Sequence, residues 1–198
     1  NNDMELGKLI ADAYRAVNLT GVVMMETSKT GETGLEVVEG VQYDKGFINN
    51  HFVNNKTNNT CTQDNPLILL IDSQIDTVRQ IQRILEHVIK TKRSLLIIGD
   101  VDPKVASTLA MNKNKGNIDI NIVPAPTVGV NRKEMFDDLA LLTEATVISE
   151  NLGDDLDLID LDHLGTCEKA TSTFADTVIQ INPEAASRVE EVIESIKA

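Results

Sequence analysis

Residues 75–116 read IDTVRQIQRILEHVIKTKRSLLIIGDVDPKVASTLAMNKNKG, a helix, a buried strand and a second helix in succession. In the first helix Ile75, Val78, Ile81, Ile84, Leu85, Val88 and Ile89 spread over roughly half the helical wheel, whereas a core-facing stripe needs little more than ~100°. Part of that arc is surplus to a core. Leu85 lies about 20° from Val78 on the wheel, so a core position and a surface position both stay open for it. Leu95-Leu96-Ile97-Ile98 reads as a fully buried strand. The second helix takes Asp102 as N-cap and Pro103 as its first residue, runs an apolar face through Val105, Ala106, Leu109, Ala110 and Met111, and stops near Gly116.

Working outward, residues 66–72 form a buried strand ahead of this stretch and residues 118–123 another behind it. That β-α-β-α-β alternation predicts an α/β fold, a parallel sheet with covering helices. Farther on, residues 131–143 read as a helix with Met135, Leu139 and Leu142 on one side, and residues 146–149 and 177–181 as short strands. Residues 183–196 close with an amphipathic helix. Toward the start, residues 5–17 have the period of an amphipathic helix with one buried face, and residues 21–39 that of a hairpin. Residues 41–47 then lead to an irregular segment, 48–52, and to an asparagine-rich loop through residue 65 that is polar enough to be exposed.

With 198 residues, 41% apolar and 25% charged, the chain can bury a real core. No run approaches the ~20 apolar residues of a membrane span, so a membrane partner is not expected. A net charge of −13 argues against nucleic acid, whose phosphates need clustered Lys and Arg. The short basic clusters at 90–93 and 113–115 read as solvated helix ends, where cations suit the helix dipole. Cys61 and Cys167 fit neither a disulfide framework nor a zinc pattern, which favours a reducing compartment. The first residues carry neither a signal peptide nor an initiator Met and read as an excised piece.

Chemistry-bearing patterns are few. The acids at 154, 155, 157, 160 and 162 lack the glycine and terminal Glu of a calcium loop and read as a solvated turn. His51, His87 and His163 share no ligand spacing. Gly99-Asp100 follows a buried strand, where an α/β enzyme places a phosphate or a catalytic carboxylate. Neither phosphate-cradling glycine motif occurs, nor a serine-hydrolase elbow. By elimination, exposed apolar surface is the most informative feature left, with a small α/β enzyme built on Asp100 and a single-partner adaptor domain as alternative readings.

Val38-Glu39-Gly40-Val41-Gln42-Tyr43-Asp44-Lys45-Gly46-Phe47 resembles the entry into the apical domain of group I chaperonins, the GroEL family. Leu95-Leu96-Ile97-Ile98, Thr108-Leu109, Asn112, Val123-Pro124-Ala125-Pro126, Asn131-Arg132-Lys133-Glu134-Met135 and Thr146-Val147-Ile148-Ser149-Glu150 resemble further landmarks in family order. Gly7-Lys8-Leu9-Ile10-Ala11-Asp12-Ala13 and Gly21-Val22-Val23 resemble its intermediate domain. The resemblance implies an apical domain over 39–181, flanked by intermediate-domain segments at 1–38 and 182–198. Gly40 and Asn182 would stand at the hinges. It further implies a chaperone fragment that captures non-native polypeptides and the co-chaperonin mobile loop in an apolar groove between two helices. Carried over, that groove uses Phe47, His51, Phe52, Gln82, Leu85, Ala106, Ala110 and Met111. His51, Gln82, Ala106 and Ala110 are smaller or more polar than the family's usual residues, which makes the groove shallower.

By the same resemblance the fragment is no enzyme and needs no cofactor. The ATP and Mg of the ring-forming parent belong to an equatorial domain outside this chain. The implied setting is the cytoplasm, bacterial or of a phage-infected host, with an organelle matrix as the other compartment.

Overall fold

The computed structural model describes residues 4–16, 23, 40–126 and 130–181. The helix expected over 183–196, the hinge at Asn182 and, apart from Val23, the hairpin over 21–39 lie outside the described residues. By packing, the chain divides into two units, Asn1–Glu39 and Gly40–Ala198. In the first, α1 (Met4–Ala16) buries Ala13 while Leu6, Ile10 and Tyr14 are exposed.

The second unit begins with β1 (Gly40–Tyr43), a helical turn at Asn50–Phe52 and β2 (Cys61–Asp64). Next come β3 (Leu67–Ile75), a turn at Val78–Ile81, α2 (Gln82–Thr91), β4 (Leu95–Val101), α3 (Pro103–Asn114) and β5 (Ile120–Val123). Then follow α4 (Val130–Thr143), β6 (Val147–Ile148), three short turns, β7 (Gly165–Thr166), β8 (Lys169–Ser172) and β9 (Thr177–Gln180). Strands β5-β4-β3-β6 make a parallel sheet with β7 antiparallel against β3, and β1-β9-β8-β2 make an antiparallel one.

Side chains alternate across the parallel sheet, so its strands feed two cores. Leu67, Leu69, Ile71, Ile97, Ile120 and Ile122 pack under α2 and α3. Ile68, Leu70, Leu96, Ile98 and Val123 meet Phe136 and Leu139 of α4, with Tyr43, Ala170 and Ile179 from the antiparallel sheet. Continuous apolar runs such as Leu67–Ile71 follow directly from burial on both faces.

Several expectations are corrected. Ile75 does not open the first helix: it ends β3, paired with Val101 beyond an irregularity between Ile71 and Gln74. The side-chain oxygen of Gln80 accepts from the N–H groups of Asp76 and Thr77, both at 3.0 Å, and so starts the helical turn later. The loop expected to be exposed through residue 65 contains β2, whose Cys61 and Gln63 are buried, and the Gln63 amide donates to the Leu95 carbonyl at 3.1 Å. Lys113 is not a solvated helix end. Its side chain is only 9% exposed and its ammonium reaches the Ile120 carbonyl at 2.8 Å and Asp119 at 3.1 Å.

The glycine at 40 serves close approach: a Cβ there would come within 2.5 Å of the Ile179 carbonyl across the β1–β9 pair. Among the described residues no helix is long and apolar enough to cross a membrane.

Candidate functional site

The right-handed β3-α2-β4-α3-β5 path lays α2 and α3 side by side on one face of the parallel sheet, pointing the same way. Each helix commits one edge to the core. Ile81, Ile84 and Val88 are buried from the α2 side, and Val105, Ala106, Leu109 and Ala110 from α3. Between them a groove of about 320 Å³ remains open to solvent. Val78, Leu85 and Ile89 line it from one side, Thr108, Leu109 and Asn112 from the other, and Asn117 and Ile118 at the end.

The start of α3 follows from Asp102, whose carboxylate accepts from the Lys104 N–H at 2.8 Å ahead of Pro103. Its end follows from Gly116 at φ +74°, in the left-handed region. Beyond the helix the chain turns back, and the Asn117 side chain donates to the Asn112 oxygen at 3.3 Å. The Asn112 amide in turn donates to the Thr108 carbonyl at 2.9 Å. One end of an otherwise apolar groove is thereby polar.

Of the residues the family resemblance pointed to, Leu85 lines the groove and is 8% exposed, a core leucine on one side and a groove wall on the other. Gln82, His51 and Met111 are exposed, and the Gln82 amide is occupied by Glu86 at 2.8 Å. Ala106 and Ala110 are buried on the core face of α3. Phe47 and Phe52 are 3% and 0% exposed and belong to the core under the helices, which corrects their expected place on the groove surface. The backbone explains this. The Phe47 N–H donates to the Thr173 carbonyl and the Ile48 N–H to that of Ile122, both at 3.0 Å, drawing the segment inward, while Asn49 caps the turn that carries His51.

The groove also takes in residues that the sequence reading did not single out for it. Val78 and Ile89 belonged to the wide apolar arc without being assigned to the groove, and Val78 lies in the turn ahead of α2. Asn117 and Ile118 carried no such sign, because they precede the β5 ladder and no local pattern marks a loop residue as a groove wall.

Toward the carboxyl ends of the central strands β3 and β4, Asp72 and Asp100 converge on Arg132. The guanidinium is bound by Asp72, lies 3.3 Å from Asp100 and 3.1 Å from the Pro126 carbonyl, and stacks on Phe136. Burial works against its charge, but the hydrogen bond and charge of Asp72, joined by Asp100, outweigh burial and raise its pKa above the ordinary arginine value. The Asp100 carboxylate proposed for catalysis is therefore the partner of a cation from α4. The glycine before it packs against β3, where a Cβ would fall 2.8 Å from the Ile71 carbonyl. Both thiols are buried: burial raises the Cys61 pKa against the opposing pull of Lys113 and pushes Cys167 up to about 12.

No protein-family model matches the chain. Along its whole length, however, it is 38% identical to "Chaperonin CPN60-1, mitochondrial" and 39% identical to "Chaperonin CPN60-2, mitochondrial", both of Cucurbita maxima. Each alignment runs over 199 positions, covers 100% of this chain and 35% of the relative. The chain thus spans about a third of the length of the curated relatives it matches. Both relatives are named as mitochondrial, and this overturns the cytoplasmic setting expected above.

Proposed function

From a chain homologous over its whole length to part of the group I chaperonins, we propose a chaperone fragment that captures non-native polypeptide in the groove between α2 and α3. Residues 39–181 act as the apical domain, with 1–38 and 182–198 as the two intermediate-domain segments and Gly40 and Asn182 at the hinges. The fragment performs no covalent chemistry and needs no cofactor. The parent assembles as a ring and binds ATP and Mg through another domain, and the co-chaperonin loop competes for the same groove.

The observation that carries this reading is the groove itself, an open channel walled by Val78, Leu85, Ile89, Leu109 and Ile118 on the face of two parallel helices. Burial of apolar surface is non-directional and is worth ~25 cal/mol per Å², so such a channel accepts many sequences. A nearby half-exposed rim fits that role: Ile89 and Met111 are 52% and 57% exposed. Core residues Phe47, Phe52, Ala106 and Ala110 support the channel from beneath, and His51 and Gln82 add polar groups near it.

The test is fluorescence anisotropy of a labelled, reduced and carboxymethylated unfolded protein titrated with this chain. Saturable binding is expected, weakened about tenfold by Ile89→Glu, which sets a carboxylate where a client methyl group would be buried. Absence of binding by the unmodified chain, or equal binding by the variant, overturns the proposal.

A further inference from the structure

The two groove helices differ in charge from the rest of the molecule. Residues 78–115 hold eight of the 18 Lys and Arg and only three of the 31 Asp and Glu, within a chain of net charge −13. Three of those cations are already engaged. Arg83 pairs with Asp160 at 3.0 Å, Lys113 with Asp119 at 3.1 Å, and Arg93 donates to Asn65 at 3.0 Å. Lys90 and Lys115, by contrast, are exposed and make no ion pair among the described residues.

Their location is specific. Because α2 and α3 run parallel, their C-terminal ends lie together, and Lys90 stands in the last turn of one while Lys115 caps the other. This is the end of the groove lined by Ile89, Asn112, Asn117 and Ile118. At the Val78 end acids outnumber bases. The turn at Leu156–Leu158 packs against the Val78–Ile81 turn, and it belongs to a stretch, 154–162, with five acids and no Lys or Arg. Lys90 and Lys115 thus sit beside the amide-lined end of the groove, whereas Arg79 and Lys104, also exposed, stand at the other end in company with those acids.

We propose that the groove prefers apolar segments flanked on one side by Asp or Glu, whose carboxylates seat at the Lys90–Lys115 end. This deepens the client-binding reading and rests on it. The apolar part of the segment covers Leu85, Ile89 and Leu109, and the side-chain amide of Asn117 and the two ammonium groups meet the acids. Attraction between such partly exposed charges is short-ranged at ordinary salt, so the local cations decide the preference over the −13 of the whole chain. The overall charge makes the opposite prediction, a preference for basic flanks.

The experiment uses the whole chain and three fluorescein-labelled peptides that share one apolar centre and carry three Glu, three Ser or three Lys on one side. At low ionic strength the Glu-flanked peptide is expected to bind about tenfold more tightly than the Lys-flanked one, narrowing to within about twofold near 0.5 M salt. Lys90→Glu combined with Lys115→Glu should invert the order, and Lys104→Glu, at the N-terminal end of α3, should preserve it. Equal affinities, or tighter binding of the Lys-flanked peptide, overturn the preference while the groove reading stands. If none of the three binds, the groove reading fails and the preference with it.

Discussion

Leu85→Ala separates the two roles that the structure gives one residue. Leu85 is 8% exposed and packs with the buried α2 cluster, so truncation removes its branched end from the core as well as from the groove. At ~0.8 kcal/mol per buried carbon group, the transfer loss is about 2–3 kcal/mol. Leucine-to-alanine changes in closed cores cost ~2–5 kcal/mol because a cavity is left behind. Here the groove opens the site on one side, water can fill the space, and the low end of that range applies, about 2.5–3 kcal/mol. For a chain of this size each kcal/mol lowers the melting temperature by ~2–4 °C, so a fall of about 5–12 °C is expected. Ile89→Ala is the control. With that residue 52% exposed, only about half of the same transfer loss applies, about 1 kcal/mol and 2–5 °C. Thermal melts followed by circular dichroism, with urea midpoints beside them, measure both variants, and the unfolded-protein titration measures their binding. Both should bind the client less well, but Leu85→Ala should melt earlier than Ile89→Ala. Melting of Leu85→Ala within about 2 °C of the unmodified chain, or equal falls for the two variants, refutes its assignment as a shared core and groove residue.

Two further outcomes follow from the other sites. Arg132→Met leaves Asp72, 25% exposed, without its cation and should cost about 2–3 kcal/mol in urea unfolding, whereas Asp100→Asn, at a carboxylate 48% exposed, should cost less than ~1 kcal/mol; equal costs would sink the view that Asp72 is the dominant partner. Calorimetric titration of the chain with Mg-ATP should release no binding heat, since no phosphate-cradling glycine loop occurs in the sequence, and micromolar affinity would return a nucleotide-using α/β enzyme to consideration.

Much of the candidate site could be read in the sequence because its two helices are locally encoded. Asp102-Pro103 and Gly116 mark the limits of α3 by capping chemistry that depends on neighbours a few residues away. The wide apolar arc of the first expected helix announced that part of it faced something other than a core, and Leu85 does line the groove with Val78 and Ile89, although one member of the arc, Ile75, proved to belong to β3. Asn117 and Ile118 join the groove only because the chain folds back after Gly116, and no periodicity records that return.

By itself the sequence determined the parallel αβ layering, since strands buried on both faces must be continuously apolar and helices with one apolar face must cover them. The antiparallel sheet was decided by tertiary structure. β2 and β8 read CTQD and KATS, too polar for a strand by pattern, yet Cys61, Gln63, Ala170, Thr171 and Ser172 are all buried. Distant partners take up part of their polar groups: the Gln63 NH2 donates to the Leu95 carbonyl and the Asn121 NH2 to the Ser172 hydroxyl at 2.8 Å, while the side-chain oxygens of Gln63, Asn121 and Thr171 are buried without a hydrogen-bond partner among the described residues. Tertiary structure likewise decides Lys113, which sequence reads as a solvated helix end and which the fold buries beside Asp119 and the Ile120 carbonyl. Apolar burial is written along the chain at fixed periods, whereas the burial of a polar group depends on a partner that only the folded molecule brings within hydrogen-bonding distance.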